Sequence, residues 1–278
     1  MATTAFLLVT LAAVIHALWN FAAKKASGDF AVIWIGLVMA SVAFAPLVLV
    51  LTPEQRALRE VAWLLLLSGL VHTAYFLLLA RSYRDGEISV VYPIARGSGV
   101  AGTAIVALLF LDETLSLAGG LGIALIVLGV VFIGLRDAGQ PRAMGLALLV
   151  GLSITSYSIL AKLAVGICHP FFYLWGFLIT TTLLLAPFVC LVHRSALRRA
   201  WEHKKTYSLL IGPGSMANYL IVLFAMQMAQ VSYVVAAREL AVVIGAGLGI
   251  FLLREPSTPR KIGGIASVVA GILLLKMA

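Results

Sequence analysis

Two arginines lie inside apolar stretches that are long enough to enter a bilayer. Arg96 belongs to the stretch Ser82 to Val106, and Arg238, followed directly by Glu239, lies 142 residues later in a second such stretch. An arginine at bilayer depth costs about 2.5–3.5 kcal/mol on insertion scales unless a counter-ion, water or a ligand meets it. A guanidinium also presents a planar fork of donors that matches a carboxylate or a phosphate. The two arginines therefore predict an anion-binding site within the membrane.

The composition supports a membrane setting for these arginines. The chain has 278 residues, of which 62% are hydrophobic and 11% charged, and its mean hydropathy is +1.09. Soluble domains carry about 25% charged residues. Apolar runs of about 20 residues recur along the chain, which is typical of transmembrane helices, and the alternating pattern of a barrel is absent. We predict an all-α integral membrane protein.

Ten transmembrane helices are predicted. The first run lacks a basic leading region and contains His16 and Trp19, so it is interpreted as a span and not as a signal peptide. The basic connection His193 to Lys205 is predicted to form an amphipathic surface helix. The predicted spans are Thr4–Ala23, Ala31–Leu51, Val61–Ala80, Ile88–Leu111, Leu115–Leu135, Ala143–Ile167, Phe171–Val192, Tyr207–Ala229, Val231–Leu253 and Ser257–Leu275.

The chain repeats itself, with residues 1–138 forming one half and residues 139–278 the other. Trp19 and Lys24 of the first half match Tyr157 and Lys162 of the second at a shift of 138 residues. Further matches follow at shifts of 141 and 142, such as Trp34 with Trp175, Gly122 with Gly264 and Gly129 with Gly271. Each half has five predicted spans. Because five is odd, the second half must enter the membrane inverted, which places a site between the halves near the midplane.

Loop charges predict the orientation. With the amino terminus outside, the cytoplasmic loops carry 14 Lys and Arg residues, against three on the other side. The positive-inside rule then places both termini outside. The same distribution explains the net charge of +9, so no nucleic-acid partner is expected.

Three motifs resemble the drug/metabolite transporter superfamily, and its EamA-type branch in particular. They are Leu18-Trp19-Asn20 with a lysine that closes the first span, Tyr92 to Gly97 near the start of the fourth, and Leu111 to Leu115 before a glycine-spaced span. The likeness covers essentially the whole chain. It implies ten helices in two inverted five-helix repeats and a secondary transporter, commonly an exporter, in a bacterial cytoplasmic (inner) membrane. Members of the superfamily carry very different metabolites, so the resemblance does not specify the substrate.

Polar side chains share faces of several predicted spans. His16 and Asn20 are four residues apart, as are Tyr92 and Arg96, so each pair lies on one helix face. Lipid does not hydrate such groups, and we expect them to line a common interior that binds a small polar solute. The predicted substrate-binding residues are His16, Trp19, Asn20, His72, Tyr75, Tyr92, Arg96, Tyr157, Lys162, Asn218, Tyr219, Arg238 and Glu239.

Structural roles are open alternatives for these residues. His16 and His72 are equally well explained as hydrogen-bond partners between helices, and Trp19 and Tyr75 as packing residues. Glu239 would, in the structural alternative, neutralise one arginine in a buried ion pair. Outside this set, Glu113 and Glu255 precede the fifth and tenth spans, where a carboxylate near a helix N-terminus is favourable by about 0.3–1 kcal/mol. We predict that each caps the helix that follows it.

A hinge is predicted around Arg96. Pro93 removes one helical hydrogen bond, and Gly97 and Gly99 just beyond it lower the cost of bending. Such a helix could change its angle during alternating access. The second half has Val235 at the position of Pro93, so a helix break is expected only in the first half.

Other classes of protein fit less well. The chain has no His-Glu-x-x-His, Gly-x-Ser-x-Gly or P-loop motif for a membrane-embedded enzyme, and no filter-like loop for a channel. Its two cysteines, Cys168 and Cys190, have no metal-binding spacing. We therefore expect neither a metal nor another cofactor.

Charge indicates the class of substrate. Arg96, Lys162 and Arg238 outnumber Glu239 in the interior, which favours an anionic or zwitterionic metabolite such as an amino acid or organic acid. The alternative is a phosphorylated or phosphonate-like metabolite, which arginines also bind. Arg96 is the predicted anion anchor, and Glu239 the predicted group for a proton as coupling ion or for a substrate ammonium. The chain is expected to act as a monomer or a weak homodimer within the lipid bilayer.

Overall fold

The apolar runs form helices in every described part of the chain. The computed structural model describes residues 1–25, 30–50, 55–85, 88–134, 141–192, 194–253 and 258–278. Those ranges contain eleven helices and no strand, so the all-α prediction is confirmed for them. The helices are α1 (Thr3–Lys25), α2 (Phe30–Val50), α3 (Gln55–Asp85), α4 (Ile88–Phe110), α5 (Leu117–Gly134), α6 (Pro141–Val165), α7 (Pro170–Val192), α8 (Arg194–Met228), α9 (Val231–Ala237), α10 (Leu240–Leu253) and α11 (Pro259–Met277).

Six segments of the described chain are long and apolar enough to cross a membrane. Large apolar side chains such as Leu109, Phe110 and Phe251 are exposed on the helices, as expected where lipid replaces water. A multi-pass membrane protein is therefore confirmed. The six segments are Leu58–Asp85, Val91–Phe110, Pro141–Val165, Pro170–Val192, Arg194–Met228 and Val231–Leu248, with shorter apolar helices at Thr3–Trp19, Phe30–Pro46 and Leu117–Ile133.

The ninth predicted span is divided into two helices. α9 ends at Ala237, α10 begins at Leu240, and Arg238 and Glu239 form the turn between them. In this turn the N–H of Glu239 donates three residues back to the Ala236 carbonyl oxygen at 3.0 Å, as in a 3₁₀ turn, while the N–H of Arg238 donates to the Val234 carbonyl oxygen at 3.1 Å. This turn places two consecutive charged side chains within the buried interior.

The helix α4 of the first half does not break at Pro93. α4 is helical throughout Ile88–Phe110, with Pro93 inside it. The prediction that a helix break would occur only in the first half is therefore wrong. Pro93 lies in the second turn of α4, where the loss of a single hydrogen bond does not end the helix.

Two tryptophans make reciprocal contacts between the halves. Trp34 on α2 donates from Nε1 to the Thr182 carbonyl oxygen on α7 at 3.1 Å, and Trp175 on α7 donates to the Ser41 carbonyl oxygen on α2 at 2.8 Å. Trp34 and Trp175 differ by 141 residues, and so do Ser41 and Thr182. The 141-residue shift thus converts the donor and acceptor of one hydrogen bond into those of the other.

Glycines allow α5 and α11 to pack closely. A Cβ added to Gly122 would lie 2.8 Å from the Gly271 carbonyl oxygen, and one added to Gly129 would lie 2.6 Å from the Gly264 carbonyl oxygen. The two pairs again exchange under the 142-residue shift. Such contacts between backbones replace the hydrophobic effect as the source of helix association in lipid.

α8 extends beyond the apolar layer. It is one helix of 35 residues, which corresponds to about 52 Å, whereas a bilayer core is about 30 Å thick. The predicted surface helix 193–205 is the beginning of this same helix from Arg194 onward; His193 lies outside the described residues.

Candidate functional site

A bidentate ion pair connects the two halves at the break between α9 and α10. The Nη2 of Arg96 lies 2.6 Å from Oε1 of Glu239, and its Nε donates to Oε2 at 3.2 Å. Arg96 is 8% exposed and Glu239 only 1%. Both carboxylate oxygens are therefore held by one guanidinium, the strong fork geometry of charge-assisted pairs. Arg96 and Glu239, 143 residues apart in sequence, meet as predicted by the ion-pair alternative.

Arg238, the residue next to Glu239, is in a different environment. It is 7% exposed, and its guanidinium carbon lies 5.5 Å from the centre of the Tyr219 ring. This distance permits a cation–π interaction. Within the described part of the chain, the guanidinium makes no ion pair or hydrogen bond with another residue. The site therefore holds one neutralised arginine and one that lacks a counter-charge.

His72 on α3 lies between two aromatic rings. Its ring centre is 4.6 Å from that of Tyr157 and 4.3 Å from that of Phe177, with interplanar angles of 27° and 21°. Tyr75 meets Tyr157 edge-on at 5.8 Å, and Tyr219 meets Phe177 edge-on at 5.6 Å. These five rings, from α3, α6, α7 and α8, form one aromatic cluster. Because Arg238 lies over Tyr219, the cluster continues directly into the charged group.

α1 contributes the remaining predicted side chains. His16 Nδ1 lies 3.3 Å from Asn218 Nδ2 on α8, and its ring meets Trp19 edge-on at 5.1 Å. Asn218 precedes Tyr219 in the sequence, so this contact joins α1 to the aromatic cluster. Tyr92 on α4 interacts electrostatically with the Arg96–Glu239 pair. All but two of the predicted substrate-binding residues thus belong to one contiguous group.

Lys162 and Asn20 are the two exceptions. Lys162 Nζ donates to the carbonyl oxygens of Met226 at 2.6 Å and Ala229 at 2.9 Å, at the end of α8. A cation there is favourable because the unpaired carbonyls carry partial negative charge. Lys162 therefore ties α6 to the end of α8, away from the ion pair. Asn20 lies on α1, but its side chain is outside the described part of the structure, as is Glu255.

Two residues of the site were not predicted from the sequence. Phe177 forms the second face of the His72 stack, and the Tyr173 hydroxyl lies 2.7 Å from the buried Ser68 hydroxyl. Phe177 is not identified by polarity, because phenylalanine is common in apolar spans. The signal was its spacing, since Tyr173 and Phe177 are four residues apart and so share one face of α7.

The hinge residues contribute to close packing. A Cβ on Gly99 would lie 2.7 Å from Ile154 Cγ2 on α6, and one on Gly97 would lie 3.2 Å from Val131 Cγ2 on α5. Both glycines therefore let α4 approach its neighbours, which is a structural reason for them besides bending. Motion around Pro93, Gly97 and Gly99 stays a prediction.

Glu113 caps a helix of the opposite half. Its Oε1 accepts from the Val231 N–H at 2.5 Å, and its Oε2 accepts from the Ser232 N–H at 3.2 Å and the Ser232 hydroxyl at 2.6 Å. The prediction that Glu113 caps α5 is therefore wrong. The Ser116 hydroxyl takes that role by accepting from the Gly119 N–H at 3.0 Å. Glu113 instead fixes the start of α9, the short helix that leads to Arg238 and Glu239.

Glu113→Gln is expected to destabilise the protein by about 1.5–3 kcal/mol, the usual contribution of hydrogen bonds to a charged group. Denaturation in mixed micelles measures the change. Glu202→Gln is the matched control, because Glu202 pairs with Arg198 on an exposed surface, where ion pairs contribute about 0–1 kcal/mol. Equal effects of the two substitutions would show that the Glu113 cap does not stabilise α9.

Comparison with known proteins supports a transporter. A stretch of 70 residues, 25% of this chain, is 37% identical to the nicotine metabolites export pump subunit NepA of Paenarthrobacter nicotinovorans. A stretch of 64 residues is 41% identical to the multidrug resistance protein mmr of Mycobacterium leprae strain TN. The matches span 60% of the length of each relative.

Structural and family comparisons extend over the whole chain. A crystal structure of a protein with 17% sequence identity superposes with a TM-score of 0.76, covering 100% of this chain and 98% of that one, which shows a shared fold. The sequence profile of the EamA-like transporter family matches twice, over residues 3–135 and 141–277. With both halves matched, the chain belongs to the EamA-like transporter family.

Proposed function

We propose that this chain is a secondary active transporter that exports a small anionic or zwitterionic metabolite, such as an amino acid or organic acid, by alternating access. The observation that carries the proposal is the buried Arg96–Glu239 pair with Arg238 beside it. Two cations and one carboxylate leave a positive charge in a region where lipid offers no hydration. A carboxylate on the substrate would neutralise it. The name of one relative, an export pump subunit, supports the outward direction.

Alternating access requires two halves that move against each other. We propose that residues 1–138 and 139–278 form inverted repeats of five transmembrane helices each, with α9 and α10 counted as one span. The reciprocal hydrogen bonds of Trp34 and Trp175 support this arrangement, since a two-fold relation between the halves demands such an exchange. The double match to the family profile supports it independently. Inverted repeats bind substrate at their interface near the midplane, and the contact of Arg96 with Glu239 between the two halves supports a site at that interface.

The ion pair also suggests how transport is coupled. While Arg96 holds Glu239, neither group is free to bind substrate or proton. We propose that the pair opens during the cycle, so that Glu239 accepts a proton or a substrate ammonium and Arg96 is released to bind the substrate anion. The other charged or titratable groups acting here include Arg238 beside Glu239, Tyr92 on α4, Tyr75 on α3, Tyr157 on α6 and His16 on α1.

Both termini are expected on the external side of the membrane. The excess of basic residues in one set of loops, 14 against three, motivates this prediction. A phosphatase fused after Ala278 should be active, because this enzyme works only outside the cytoplasm, and a fluorescent protein fused there should stay dark. The reverse pattern would contradict the orientation while leaving the transport proposal intact.

Transport by purified protein in liposomes tests the proposed function. Amino acids, organic acids and phosphonates are supplied separately, with and without a pH gradient. Accumulation of carboxylates is expected, and it should depend on the gradient. A preference for phosphonates would favour the phosphorylated alternative. Transport of neutral or cationic compounds alone would overturn the proposal.

A further inference from the structure

We propose that Arg238, together with Tyr219, forms the anion-binding subsite, and that the ligand is an organic monocarboxylate with a flat aromatic body. This inference rests on the proposed transport function and specifies the substrate class. It also assigns the anion contact in this state of the protein to Arg238, since Arg96 is occupied by Glu239.

The Arg238 guanidinium is a buried charge without an ion-pair partner among the described residues. The side chain is 7% exposed, and its guanidinium carbon lies 5.5 Å from the centre of the Tyr219 ring. A cation–π contact offsets only part of the cost of burying an ion without a counter-charge. A ligand carboxylate can receive both donors of one edge of the guanidinium.

A neutral donor next to Arg238 also lacks an acceptor. The Tyr219 hydroxyl is buried and has no hydrogen-bond partner among the described residues. A phenol both donates and accepts, and the Tyr219 ring is the one over which Arg238 lies. A guanidinium and a hydroxyl with unmet donors are complementary to an acceptor-only group such as a carboxylate.

The charge balance favours a monoanion. Arg96, Arg238 and Glu239 sum to one positive charge, which a single carboxylate neutralises. A phosphate monoester carries about −1.5 to −2 charges at neutral pH and would leave a buried negative excess. A zwitterion would leave the positive charge uncompensated unless its ammonium displaced Arg96 from Glu239.

The surface next to Arg238 favours an aromatic body. The Tyr219 ring centre lies 5.6 Å from Phe177, 6.1 Å from His72 and 6.2 Å from Tyr157, all in edge-on geometry. A flat ring attached to a carboxylate at Arg238 would therefore meet aromatic surface in the geometries that aromatic pairs prefer. An aliphatic acid would lose that part of the interaction.

Fluorescence binding of 1-naphthoate to the whole protein in detergent tests the inference. 1-Naphthamide is the neutral analogue and 1-naphthyl phosphate the dianion. The wild type should bind naphthoate most tightly. Arg238→Met should weaken naphthoate binding about ten- to a hundredfold, as expected for a charge-assisted pair, and leave naphthamide binding unchanged. Arg198→Met, on the exposed face of α8, is the control and should match the wild type.

Stability without ligand separates a binding role from a structural one. If Arg238 serves to bind an anionic ligand, Arg238→Met should raise the melting temperature of the ligand-free protein, because an unpaired buried charge is removed. Tyr219→Phe keeps the ring and should weaken naphthoate binding without unfolding the protein. Equal naphthoate affinity in wild type and Arg238→Met, or no naphthoate binding by the wild type, overturns this inference. The transport proposal survives either result if carboxylates are still accumulated in liposomes.

Discussion

Glu239→Gln is expected to abolish the dependence of transport on a pH gradient and to lower the free energy of unfolding by about 3–5 kcal/mol. The substitution keeps the shape of the side chain but removes the charge that holds Arg96 at 2.6 Å. Two arginines would then lie in the buried interior without any carboxylate. Transport in liposomes with and without a pH gradient measures the coupling, and denaturation in mixed micelles measures the stability.

A second substitution, at Arg96, distinguishes the loss of the ion pair from a general loss of stability. Arg96→Met combined with Glu239→Gln removes both charges, and replacing a whole buried ion pair is often neutral in stability. The double variant should therefore recover most of the stability and yet remain uncoupled. If the single variant keeps a normal response to the pH gradient, Glu239 is only a structural counter-ion.

Gly212→Ala is expected to lower the free energy of unfolding by about 1–3 kcal/mol, the usual cost of overpacking, and to stop transport. A Cβ at Gly212 on α8 would overlap the carbonyl group of Gly36 on α2, and a backbone group cannot rotate aside as a side chain does. α8 would have to move from α2, and with it Asn218 and Tyr219 of the site. Denaturation and liposome transport measure the two effects.

Gly145→Ala on α6 is the matched control. A Cβ there meets nothing within 4 Å, so only helix propensity acts, and alanine is favoured over glycine by about 0.8–1 kcal/mol. The control should be at least as stable as the parent and should transport normally. Similar losses in both variants would show that the approach of α2 to α8 is not what Gly212 provides.

The helical membrane fold was predictable because it depends on local properties. An apolar run must satisfy its backbone hydrogen bonds internally, and only a helix does so within one segment. Boundaries accordingly agree to within a few residues for most helices, as for the predicted span Ile88–Leu111 and the observed α4, whereas α8 begins 13 residues before the predicted span Tyr207–Ala229. The break between α9 and α10 was not predictable in this way, because residues 231–253 are apolar enough to continue as one helix. At this break Glu239 meets Arg96, a residue far away in the sequence that no local pattern of residues 231–253 includes.

Most residues of the candidate site were predictable from the sequence, but the role of each residue was less so. Charged and hydrogen-bonding side chains inside spans must avoid lipid, and this alone brought Arg96, Arg238, His16, Asn218 and others together as candidates. Which arginine is neutralised does not follow from sequence, since the two occupy equivalent positions of the repeat.

The sequence by itself determined that this protein is an all-helical membrane protein with a duplicated chain and buried cations, because hydropathy, repetition and charge are properties of single segments. Only the tertiary structure decided the pairings: Glu239 with Arg96 and not Arg238, Glu113 with the start of α9 and not α5, and Lys162 with the end of α8 and not the site. In each case several partners satisfy the same local chemistry. The distance and direction set by helix packing choose one of them.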